Sequence, residues 1–179
     1  MDHRDHVELL RAGIQSRGGR WADLGAGGGA FTLALRELAG PEAEIHAVDR
    51  DRRALEELRG AYSARFGGEA GLSLHAADLS GKLELPALDG IVMANSLHFF
   101  RDKLRILRHV RGMLKPEGRL LVVEYNVDRG NVWVPYPVSW EAFQGLAPQA
   151  GFTAPRLLAR HPSSFLKEFY SAETGVTSA

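Results

Sequence analysis

Five small residues in a row, Gly25-Ala26-Gly27-Gly28-Gly29, constrain this chain more than any other segment. Glycine accepts positive φ and lets backbone N–H groups approach a ligand with no Cβ in the way. Its flanks give the run a setting. Arg20-Trp21-Ala22-Asp23-Leu24 reads as a short strand, and Phe31, Leu33, Ala34, Leu35 and Leu38 continue as a helix stopped by Gly40-Pro41. A strand that enters a helix through glycines presents the free N–H groups of the helix start to a ligand. About twenty residues later, Val48-Asp49 puts a carboxylate at the end of the next strand, where it can accept both hydroxyls of a ribose.

The pattern repeats along the chain. Residues from about His3 to Ser16 read as an amphipathic helix through Val7, Leu9, Leu10 and Ile14. Strands are expected at Glu44 to Val48, Leu72 to Ala76, Gly90 to Ala94 and Arg119 to Tyr125. Helices are expected from Arg52 to Arg65 and from Lys103 to Leu114, with a short weak one around Pro86 and a turn at Lys115-Pro116-Glu117-Gly118. Strands alternating with helices imply crossover connections and a mostly parallel sheet. Val132 to Val138 is too rich in proline and aromatics for regular structure, and Ser139 caps a helix to about Ala150. Pro155 to His161 and Phe165 to Tyr170, around Pro162-Ser163-Ser164, read as an antiparallel hairpin.

Composition narrows the class. The length, 179 residues, suits a single domain spanning residues 1–179, with residues 1–18 as a helix over the site. Lys plus Arg and Asp plus Glu are 22 each, so no net basic field draws nucleic acid. The count of cysteines is zero, which removes disulfides, zinc–thiolate sites and thiol nucleophiles together. The first six residues are charged rather than a signal peptide and no apolar run spans a membrane, so a cytoplasmic protein is expected.

Two cofactor classes fit the loop. Gly25-x-Gly27-x-x-Ala30 satisfies the dinucleotide fingerprint, which keeps an NAD-dependent oxidoreductase in view. The charge of Asp23, just ahead of the loop, suits a cationic ligand and would repel a pyrophosphate.

The residues more closely resemble the class I S-adenosylmethionine-dependent methyltransferases. Asp23-Leu24-Gly25-Ala26-Gly27-Gly28-Gly29 matches their first motif, and His46-Ala47-Val48-Asp49-Arg50 looks like the second. Leu74-His75-Ala76-Ala77-Asp78-Leu79 looks like the third. The run from Leu88 to His98 resembles the strand and turn beside the methyl donor, and Leu114-Lys115-Pro116-Glu117-Gly118 resembles the family's turn into a fifth strand. Gln149-Ala150-Gly151-Phe152 resembles the residues ahead of its sixth.

The resemblance implies a Rossmann-like α/β fold. Its seven-stranded, mostly parallel sheet takes the order three-two-one-four-five-seven-six, with helices on both faces and a C-terminal antiparallel hairpin. It implies S-adenosylmethionine as cofactor and S-adenosylhomocysteine as product. Gly25, Ala26, Gly27 and Gly29 would surround the methionine part, and Asp23 would pair with its ammonium directly or through water. Asp49, with Arg50 beside it, would hold the ribose. Asp78 and the N–H of Leu79 would meet the adenine, and Asn95 and Ser96 would line the methyl donor.

Methyl transfer from a sulfonium needs alignment, exclusion of water and, for some acceptors, a base. His98, after Asn95-Ser96, is the candidate base; packing beside Phe99 and Phe100 is its structural alternative. His3 and His6 are three apart without a third partner, and His46, His75, His109 and His161 suggest no metal site either. Asn95-Ser96-Leu97-His98 lacks the two prolines of nucleobase amino-methyltransferases and resembles the ubiquinone/menaquinone-type small-molecule branch. The acceptor is unidentified, with the terminal helix and Val132 to Trp140 expected to select it. A protein acceptor, a homodimer completing the site, and a catalytically silent cofactor-binding domain are the alternatives.

Overall fold

A computed structural model describes residues 1–177. The elements run α1 (His3–Arg11), β1 (Arg20–Leu24), α2 (Ala30–Ala39), β2 (Glu44–Asp49), α3 (Arg52–Phe66), β3 (Leu72–Ala76) and β4 (Leu88–Ala94). A 3-10 turn (Leu97–Phe99) precedes α4 (Lys103–Arg111), β5 (Leu114–Tyr125), α5 (Trp140–Gln149), β6 (Arg156–Pro162) and β7 (Glu168–Gly175). The seven strands form one sheet in the order β3-β2-β1-β4-β5-β7-β6, as the family resemblance implies. β1 through β5 are parallel, while β7 runs antiparallel to both β5 and β6.

Alternation along the central strands builds a core on each face. Ile91 and Met93 of β4, with Leu120 and Val122 of β5, join Leu107, Val110 and Phe143 from α4 and α5. Val92, Ala94, Leu121 and Val123 point the other way, onto Leu10 of α1 and Phe31 and Leu35 of α2. Each such side chain contributes roughly 1.5–3 kcal/mol on burial. α3 closes the near end, placing Leu55, Leu58 and Tyr62 against Ala26 and Ala47.

Several local expectations are corrected. α1 ends at Arg11 rather than Ser16 because the chain turns to fit Gly13 against Leu121; a Cβ there would lie 2.5 Å from that side chain. Ile14 is still buried, but from outside the helix. α4 likewise stops at Arg111, capped by Gly112. No helix forms around Pro86; that segment is irregular. Lys115-Pro116-Glu117-Gly118 is a bulge within β5, since Leu114 already pairs with Leu88 and Arg119 with Gly90. Proline can donate no ladder bond there, and Lys115 Nζ anchors the bulge on Asp89 Oδ1 at 2.6 Å. In the hairpin, Phe165 and Leu166 belong to the loop, where both N–H groups donate to Ser163 Oγ. β7 therefore starts at Glu168. Among the described residues, no helix is long and apolar enough to cross a membrane.

Candidate functional site

The cleft opens at the C-terminal ends of β1, β2 and β4, where open parallel sheets bind ligands. Its volume is about 450 Å³, and Gly25, Gly27, Asp49, Asp78, Asn95 and Ser96 line it together with Phe99 and Phe100. The loop bends through positive φ at Gly25 (86°), Gly27 (51°) and Gly29 (89°). A Cβ on Gly25 would lie 2.5 Å from that of Ser96, and one on Gly29 would lie 2.5 Å from Leu58 Cγ. Nothing lies within 4 Å of the same position at Gly27, which leaves that residue open toward the cleft.

Asp49 is the hinge of this arrangement. Its Oδ2 accepts from Gly27 N at 2.8 Å and its Oδ1 from Asp51 N at 2.9 Å. A carboxylate has roughly four acceptor positions, so two remain for ligand hydroxyls. Asp78 Oδ1 accepts from the Ser80 hydroxyl at 2.6 Å and the Ser80 N–H at 2.8 Å. Those bonds, with burial opposing and Arg50 assisting, hold its carboxyl below the usual range. Leu79 and Arg50 also line the cleft.

Asn95 takes φ 52°, which aims the turn after β4 inward. Its Oδ1 and the Ser96 Oγ are buried with no hydrogen-bond partner. Such groups are costly unless something else pairs with them, so they mark where a polar ligand atom fits.

Four predicted residues stand behind the cleft rather than on its wall: Asp23, Ala26, Gly29 and His98. Asp23 is 1% exposed and accepts from Thr32 Oγ1 at 2.6 Å. Burial pushes its pKa up to about 6, against the Thr32 bond and with the help of Asp49's charge. Ala26 and Gly29 shape the loop by packing on α3. The His98 ring is turned onto a residue that sequence reasoning missed. Glu124 of β5, 0% exposed, accepts from His98 Nδ1 at 2.7 Å and from the His98 N–H at 3.1 Å. Only its place at the end of an apolar strand, Leu120-Leu121-Val122-Val123-Glu124, could have singled it out.

α1 does not cover the cleft. Its apolar face is consumed by α2, where Val7, Leu9 and Leu10 pack with Phe31 and Leu35, and none of its residues lines the cleft. His161 of β6 meets Asp5 of α1 at 3.1 Å, and His3 meets Glu37 of α2 at 2.7 Å. His46 and His75 pair with each other at 3.0 Å. No group of three metal-ligating side chains exists among the described residues.

Known proteins share this fold. A family model described as a methyltransferase domain matches residues 22–120. An arsenite methyltransferase of Aquipseudomonas alcaligenes is 26% identical over 171 residues, covering 86% of this chain. The chain spans only 49% of that relative's length. The YcgJ protein of Bacillus subtilis superposes with a TM-score of 0.79 at 15% identity, covering 99% of this chain and 100% of that one. An arsenic(III) S-adenosylmethionine methyltransferase from Chlamydomonas reinhardtii superposes at 0.75 with 22% identity, covering 96% of this chain and 67% of its own. At these identities the two structures establish the fold alone.

Proposed function

The chain belongs to the methyltransferase-domain family, and from that premise we propose that it binds S-adenosylmethionine in the cleft and methylates a small-molecule acceptor. One observation carries the choice of cofactor. The charged residues lining the cleft are Asp49, Asp51 and Asp78, with Arg50 as the single base. Asp23 adds a buried carboxyl behind them. That field favours a cation and opposes a pyrophosphate. The partnerless Asn95 Oδ1 and Ser96 Oγ supply acceptor atoms in the same wall.

In this reading Asp49 takes the ribose hydroxyls with its free acceptor positions, and Asp78 with Leu79 takes the adenine. Gly25, Gly27 and Gly29 shape the bed of the methionine part, with Asp23 acting on its ammonium from behind the loop. The cofactor, when bound, supplies an electrophilic methyl group on a sulfonium. The chain's own contribution is alignment and exclusion of water, plus a base where the acceptor must lose a proton.

Arsenite belongs to that relative's name, and nothing in this cleft points to it. A soft centre such as arsenic(III) is held by thiolates, and these 179 residues supply none. The net charge of zero likewise gives no reason to expect a nucleic acid. The relatives do not single out the quinone-methylating branch. A second copy of the chain completing the acceptor side is the alternative arrangement, and sedimentation at assay concentration tests it.

Equilibrium calorimetry tests the cofactor. S-adenosylhomocysteine is expected to bind saturably and more tightly than NADH. Tighter binding of NADH would overturn the reading, and binding without methyl transfer to any acceptor would leave a silent cofactor-binding domain.

A further inference from the structure

The loop between β5 and α5 holds two apolar side chains out in solvent. Val132 is 89% exposed and Trp133 73%, more than any other large hydrophobic residue described. Hydrogen bonds fix them there. Asn131 Oδ1 accepts from the Trp133 N–H at 2.8 Å and from the Val134 N–H at 2.9 Å, while the Asn131 N–H donates to the Val134 carbonyl at 3.0 Å. Val134 is buried and anchors the turn, so the two residues before it project outward. Gly130 permits the tight approach, since a Cβ there would lie 2.5 Å from the Pro135 carbonyl oxygen.

Cations lie beside this turn. Trp133 and Tyr136 are three residues apart, so their Cα atoms are separated by at most about 11 Å. The Tyr136 N–H donates to the His98 carbonyl at 3.0 Å, which docks the loop on the 3-10 turn where Phe99 is also exposed. Lys103 Nζ sits 5.8 Å from the centre of the Tyr136 ring. Arg101 and Arg105, both exposed, flank Lys103 at the start of α4. None of these three cations forms an ion pair among the described residues. Asp102 is the one acid from Arg101 to Arg111, and its carboxylate caps α4 by accepting from the Arg105 N–H at 3.1 Å. On the loop itself Asp128 and Arg129 cancel.

We infer that this corner is a docking surface for an anionic lipid bilayer. Val132 and Trp133 enter the interfacial layer, Tyr136 and Phe99 follow at headgroup level, and Arg101, Lys103 and Arg105 meet the anionic headgroups. Indole and phenol rings favour that depth, where one end of the side chain is apolar and the other wet. Arginine and lysine beside an apolar tip supply the second attraction that a shallow insertion needs. A folded protein is a poorer fit. A stable protein interface covers about 800 Å² on each partner with matched shape, whereas two side chains projecting from a turn offer a small tip that a fluid surface can take up. Phe99 also lines the cleft, so docking brings the mouth of the cleft to the bilayer surface. The inference stands on this surface alone and does not depend on what the cleft binds.

Vesicle flotation of the full chain tests it. Binding to vesicles of equal parts phosphatidylcholine and phosphatidylglycerol is expected, with weaker binding to phosphatidylcholine alone and a decline as salt rises. The double variant Val132→Ser/Trp133→Ser should lose at least about tenfold in binding to either vesicle. Arg101→Gln/Arg105→Gln should weaken binding to the anionic vesicles only. The chain has three tryptophans, of which Trp21 is buried and Trp140 half-buried, so quenching by an aqueous quencher reports mainly on Trp133. Anionic vesicles should protect that fluorescence. Thermal melting is followed on each variant; if the serine pair does not fold, the arginine pair and the quenching of the wild type decide. The inference is overturned by absent flotation, by flotation that the folded serine pair leaves unchanged, or by flotation without protection of Trp133. Self-association that the serine pair abolishes, with no binding to vesicles, would assign the surface to a second copy of the chain and overturn it as well.

Discussion

At the ends of β1, β2 and β3 the polar groups face out: Asp49 is half-buried, Asp78 is exposed, and Gly25 and Gly27 lie at the cleft. At the ends of β4 and β5 the order is inverted. There Glu124 and His98 are buried against each other, while Phe99, Trp133 and Tyr136 stand in solvent. The first region presents charge and hydrogen-bonding groups at the cleft, which suits the polar cofactor proposed for it. The second keeps its polar pair in the interior and its rings outside. A carboxylate therefore has different weight in the two places. In the first it faces the cleft, where the proposed cofactor would meet it, and in the second it is part of the protein's own interior.

Stability should expose that difference most strongly. Glu124→Ala strips His98 of two hydrogen bonds in a site without solvent, and about 3 kcal/mol of unfolding free energy should be lost. Asp49→Ala, with a half-exposed side chain, should cost no more than about 1 kcal/mol. Chemical denaturation of the two variants reads both values. Equal losses would erase the distinction between the regions.

A smaller effect concerns Asp23, the one acid of the first region that is sealed from solvent. Burial, with Asp49's charge, raises it from 3.8 to about 6 despite the Thr32 bond. The unfolded chain releases this proton near 3.8 while the folded protein keeps it to about 6. The stability it contributes is therefore present below the lower value and lost as pH rises through the upper one. Cofactor binding should run the other way, because a cationic ligand favours the ionised carboxyl. Affinity for S-adenosylmethionine should rise about threefold to tenfold between about pH 5 and about pH 7.5, with a flatter profile in Asp23→Asn. Calorimetry at both pH values checks this, and an unchanged slope in the variant would detach Asp23 from the ligand.

The smallest effect belongs to the rim. Trp133 is 73% exposed, so Trp133→Ala should alter stability by no more than about 0.5 kcal/mol. It should leave S-adenosylhomocysteine binding as it was, since the ring does not line the cleft. A large fall in melting temperature would mean that the ring supports the fold instead.

The first region was legible in the sequence because its shape resides in backbone geometry, and glycine is the residue that signals it. Gly25, Gly27 and Asp49 could be named from spacing alone, as could the alternation of strands and helices. The second was not, because its central contact joins residues far apart in the chain. Nothing near His98 in sequence points to Glu124, whose partner is set by the parallel register of β4 and β5, with Ala94 opposite Val123. Ends of elements failed for local reasons. The apolar run at Phe165-Leu166 looked like strand, yet Ser163 Oγ captures its N–H groups. α1 carried the right amphipathic face, but the sequence could not say that α2 rather than the cleft would receive it.

The division of labour between the two regions is tested most directly by one calorimetric series. S-adenosylhomocysteine is titrated into the wild type, Asp49→Ala and Glu124→Gln under identical conditions. Charged hydrogen bonds contribute roughly 1.5–3 kcal/mol, so Asp49→Ala should lose about tenfold or more in affinity while Glu124→Gln stays within about twofold of the wild type. Unchanged binding in a folded Asp49→Ala protein, or an equal loss in both variants, would contradict the account.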